Sequence, residues 1–127
     1  MRVTTLIGVY HARGSLAGEI VYLFDKVSGR GHCALCDITH GWTRRRRSFD
    51  ECVAALDLPF ELFHLDDQPE EVARASAGRT PLILARLDDG SLHELMTATD
   101  LENCSGSPER LREAINTRIL DKGWSRS

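Results

Sequence analysis

The chain has 127 residues, enough to bury a core without disulfide or metal staples. Its 42% hydrophobic and 28% charged residues are the balance of a globular domain and exclude a disordered or fibrous one. The formal net charge of −3 disfavours nucleic acid and anionic membranes as partners, and no apolar run approaches the roughly 18 residues of a membrane span.

"VTTLIGVY", Val3 to Tyr10, is β-branched and apolar and reads as a buried strand. The start has no small-residue cleavage site, so no secretory signal is read and a cytoplasmic location is expected. "HARGS" breaks the strand, and Ser15 can cap a helix in which Leu16, Ile20, Leu23, Phe24 and Val27 form one stripe, ending near Gly29. Residues 29–47 have no clear period. "SFDE", Ser48 to Glu51, has capping-box spacing and predicts a second helix with Phe49, Cys52, Val53 and Leu56 inward.

Pro59 separates that helix from a strand, "FELFHL". "DDQPEEVARASAGR" predicts a short helix, with acids and Pro69 in its first turn and Gly78 past its end. "PLILARL", "DDG" and "SLHELM" read as strand, turn and strand. Ser107 and Pro108 open a last helix with Leu111, Ala114, Ile115 and Ile119 on its buried stripe, and the tail after it is expected to fray apart from Trp124. The order β-α-insert-β-α-β-β-α predicts one α/β domain over residues 1–127. Its mixed sheet should carry helices on both faces, with a Cys/His loop and helix inserted at about 30–58.

That order resembles the thioredoxin fold, and "GRTPLILARLDDGS" is similar to the stretch where that fold carries a cis-proline before a hairpin. Thr80-Pro81 is the matching pair, and the likeness covers the chain except for residues 30–58. The resemblance implies thiol chemistry at the start of the first helix, yet "YHARGSLAG" at that point holds no cysteine. "CALCDITHG" also resembles the signature of a small uncharacterised bacterial family sometimes labelled GTPases. The chain has no G-x-x-x-x-G-K-[ST] loop to cradle phosphates.

"GHCALCDITHGW" concentrates two of the four cysteines and two of the five histidines. Cys33, Cys36 and His40 stand at C-x2-C-x3-H spacing, which lets one loop aim three ligands at one ion, and zinc takes about four in a tetrahedron. His32, His11 or Cys104 is the candidate fourth ligand, and Asp37 can orient a histidine. Zinc is the one cofactor this pattern suggests.

Two other readings stand beside metal binding. In one, Cys33 and Cys36 are the attacking and resolving thiols of a thiol–disulfide oxidoreductase. In the other they are small buried apolar groups in a non-catalytic, partner-binding scaffold. A wider pocket would draw on His11, Arg13, Thr80, Pro81 and Cys104, since open α/β sheets bind ligands beyond their strand ends. Cys52 is expected in the core, His64 packed on its strand, His93 exposed on the hairpin, and Arg44 to Arg47 solvated. The partner is a protein or small molecule that the sequence does not specify.

Overall fold

A computed structural model describes residues 1–11 and 47–126 of the chain. Strand β1 spans Arg2–Val9, helix α1 Arg47–Leu56, β2 Phe60–Phe63 and helix α2 Glu70–Ser76. The hairpin β3 (Leu82–Leu87) and β4 (Leu92–Met96) follows, then helices α3 (Ala98–Glu102) and α4 (Pro108–Asp121), and a two-residue strand β5, Ser125–Arg126. The result is a mixed α/β structure with the sheet order β2-β1-β3-β4. β1 and β2 are parallel; β1–β3 and β3–β4 are antiparallel.

Helices cover both faces. On one, Leu6, Tyr10, Ile83, Ala85 and Leu95 from the sheet pack with Phe49, Cys52 and Leu56 of α1, Leu101 of α3, and Leu111, Ile115 and Ile119 of α4. On the other, Ile7, Val9, Leu82 and Leu84 pack with Val72 of α2. The alternation in β1 and β3 is what a strand buried on both sides requires.

Two irregularities disturb that alternation. The β1–β3 register shifts between Val3 and Thr5, and Val3 shares a face with Leu6 although an odd spacing separates them. The β3–β4 register shifts between Ile83 and Leu84, and the adjacent Leu95 and Met96 both enter the same core. An extra residue opposite one partner turns the parity of a strand, so each bulge adds an apolar side chain to the larger cluster. Thr4 Oγ1 donates to Arg86 O at 3.1 Å beside the first of them.

The hairpin turns as its "DDG" requires. Gly90 takes φ +85°, a conformation that favours glycine, and its N–H donates to Leu87 O at 2.9 Å. Ser107 caps α4 by accepting from Arg110 N at 3.2 Å, with Pro108 at the first position.

Three expectations need correction. Arg47 is already helical, so Ser48 lies inside α1 and does not cap it. Helix α3 stands where no element is expected; Thr97 opens it with a capping box, accepting from Asp100 N at 3.1 Å while Asp100 Oδ2 accepts from Thr97 N at 2.9 Å. The tail does not fray throughout: Ser125 N donates to Met1 O at 3.0 Å, and β5 lies parallel to the start of β1. Trp124 holds that end, its ring 5.5 Å from the His93 ring and 5.5 Å from Lys122 Nζ.

Candidate functional site at the carboxyl end of the sheet

The strand directions bring the chemistry-bearing residues to one end. β2 is parallel to β1, and two successive antiparallel pairings make β4 run the same way as β1. The carboxyl ends of β1, β2 and β4 therefore meet the amino end of β3. His11 leaves β1 there, His64 leaves β2, Thr97 leaves β4, and Thr80-Pro81 enters β3. This is the kind of edge at which open α/β sheets hold ligands.

The peptide between Thr80 and Pro81 is cis. Pro81 is buried and Thr80 half-buried. His11 is exposed, and its Nδ1 lies 2.9 Å from Thr80 Oγ1. With the ring proton on Nδ1, donated to the hydroxyl, Nε2 keeps its lone pair for a ligand. A threonine 69 residues away thus fixes the ring, because β1 and β3 are hydrogen-bonded neighbours.

His64 is the second oriented imidazole. Its backbone N–H donates to Asp67 Oδ1 at 2.5 Å, and its Nδ1 lies 3.0 Å from Asp67 Oδ2. The Tyr10 ring stands 5.0 Å from it, tilted by 40°. The strand pattern alone predicts His64 as packing, and the H-x-x-D spacing in "HLDD" is the sequence signal for its carboxylate partner.

Cys104 lies on the α4 side of the same end, and only 3% of it is exposed. Its Sγ donates to Asp100 O at 3.5 Å. Burial pushes this thiol above its ordinary value, the Asp100 charge adds to the rise, and Arg110 opposes it. Burial likewise raises Cys52 on α1, with Arg112 opposing. Both are free thiols held protonated, the reverse of an activated nucleophile.

This has two measurable consequences. Mildly alkaline iodoacetamide should leave Cys52 unmodified in the folded protein and label it in urea; an adduct on Cys52 in the native state, read by peptide mass spectrometry, would contradict its burial. The unfolded thiols ionise first as pH rises. Stability should therefore fall above the ordinary thiol range and be insensitive to these groups below it.

Cys33, Cys36, His40, His32 and Arg13 lie outside the described residues. Among the described residues, no group of three or more His, Cys, Asp or Glu side chains could hold a metal, and no helix is long and apolar enough to cross a membrane. His11, Thr80 and Pro81 come together; Cys104 lines a separate pocket with Met96, Asp100 and Arg118. Compared with protein-family models, with curated proteins and with solved structures, the chain matches none.

Proposed function

We propose that the chain is a thioredoxin-like domain that binds a transition metal at the carboxyl end of its sheet. Zinc is the first candidate. Cys33, Cys36 and His40 supply three ligands, and His11 completes the tetrahedron in preference to His32. The β2-β1-β3-β4 order, the helices on both faces and the cis-proline entering β3 support the fold reading.

The observation that carries the metal reading is the bond between His11 Nδ1 and Thr80 Oγ1. Ligating histidines are commonly oriented in this way, with the second ring nitrogen held by a hydrogen-bond partner. In sequence the Cys/His motif lies between His11 and helix α1.

Purification without chelator, followed by elemental analysis, should find about one equivalent of zinc, because the ligand set is complete within one chain. Less than about a tenth of an equivalent, with no gain on adding metal, removes the proposal.

The thioredoxin-like element order and the Thr80-Pro81 match motivate a second reading, thiol–disulfide exchange. There one of Cys33 and Cys36 attacks a substrate disulfide as thiolate, and the other resolves the mixed disulfide. The substrate leaves as two thiols and the chain is left with a Cys33–Cys36 disulfide. Metal-free protein with a depressed thiol pKa and a reversible Cys33–Cys36 bond would establish it. An ordinary thiol value near 8.5 would argue against it. If both readings fail, a partner-binding scaffold is left.

A further inference from the structure

We infer that a second, independent site binds a small organic carboxylate between α3, α4 and the end of β4. A pocket of about 160 Å³ opens there. Its apolar wall is Met96, Ala114 and Cys104; its polar wall is Asp100, Asn103, Arg110 and Arg118.

The charge balance of the pocket is what selects an anion. Asp100 is the one acid in the lining, and both its oxygens are engaged. Oδ1 accepts from Arg118 Nη2 at 2.5 Å, and Oδ2 accepts from the Thr97 N–H at 2.9 Å. Arg118 thus neutralises the carboxylate. Arg110 makes no side-chain ion pair among the described residues, and its positive charge is felt at the Cys104 thiol. One uncompensated guanidinium beside an apolar wall suits a carboxylate, which it can grip with two parallel N–H bonds. The Asn103 amide adds donors at the same wall.

Size and lining set the rest of the ligand. A cavity of roughly 150 Å³ takes benzene, so this pocket suits a body of about six heavy atoms. The methionine, alanine and thiol surfaces favour an aliphatic tail over a bare inorganic ion. The site uses none of the residues of the proposed metal centre, and its outcome is separate from that reading.

Butyrate is the probe, titrated into the full chain as purified, at constant ionic strength, with backbone amide shifts recorded over residues 96–118. Saturable shifts are expected with a Kd on the order of 1 mM or tighter. Arg110→Gln should raise that Kd at least about tenfold, the cost of a charged hydrogen-bonded partner. Arg110 is exposed, so the fold tolerates the change. Arg74→Gln on α2 is the matched control and should leave binding unaltered.

Four results overturn the inference: no saturable shift, butyramide binding as well as butyrate, inorganic phosphate binding as tightly as butyrate, or unchanged affinity in Arg110→Gln.

Discussion

Replacing Phe49 by alanine should destabilise the fold by about 3–5 kcal/mol, the cost of emptying a large buried aromatic site. Phe49 is fully buried in the cluster that joins α1 to the sheet and to α4. Its ring meets Phe60 edge-on, with centroids 5.5 Å apart and planes at 80°, an arrangement that adds roughly 0.5–1.5 kcal/mol beyond burial. Against a domain stability of about 5–15 kcal/mol, this one change removes a large share.

Urea unfolding of the variant is the measurement. The midpoint should drop sharply while the slope stays as in the parent, since the same surface is exposed on unfolding. Leu120→Ala is the control. Leu120 sits on α4 but is 76% exposed, and its loss should change stability by no more than about 0.5 kcal/mol. A Phe49→Ala loss under about 1.5 kcal/mol would mean that α1 does not dock as described, and the α1–α4 face would have to be reassigned.

Phe49 was legible in the sequence because its helix keeps strict period. Phe49, Cys52 and Leu56 recur at three and four residues, and all three are buried. The same held for Leu111, Ile115 and Ile119 on α4. What the pattern hid were the places where period breaks. Val3 and Leu6 share a face only because the chain bulges at Thr4, and neither residue announces that. Helix α3 has five residues, too few for a stripe, and its Thr97–Asp100 box carries aspartate where the usual signal has glutamate or glutamine. β5 has two residues and owes its place to β1, a partner 120 and more positions away.

The candidate site divides in the same way. The parallel β1–β2 pair and the antiparallel hairpin could be reasoned from the order of elements; the β1–β3 pairing that brings His11 to Thr80-Pro81 could not. The His11–Thr80 bond depends on two side chains contributed by different strands, which no local pattern encodes. His64 was read in part: it packs against the Tyr10 ring, but it sits one residue past β2, where the Asp67 carboxylate also reaches its ring nitrogen.

Thr80→Val tests the metal centre from its support rather than from its ligands. Valine keeps the shape of threonine and deletes the hydroxyl that fixes His11. Loss of such an outer partner typically lowers metal affinity by about 10–100-fold. Zinc affinity, measured by competition with a chromophoric chelator, should fall by that factor in Thr80→Val and by more in His11→Ala. Because His11 is exposed, its freed Nδ1 can turn to water, and the stability of metal-free protein should move by no more than about 0.5 kcal/mol. Affinity should also weaken as pH falls, since cysteine and histidine ligands must give up protons to bind.

Cys104→Ala discriminates between the candidate fourth ligands. Its thiol is buried, protonated and bonded to Asp100 O, so its removal should leave zinc affinity unchanged. Should Thr80→Val and His11→Ala both bind zinc within about twofold of the parent, well short of the effect of a lost ligand partner, His11 is not a ligand and the position passes to His32. A metal lost on Cys104→Ala would move the centre to the α4 side of the sheet end and separate it from cis-Pro81 altogether.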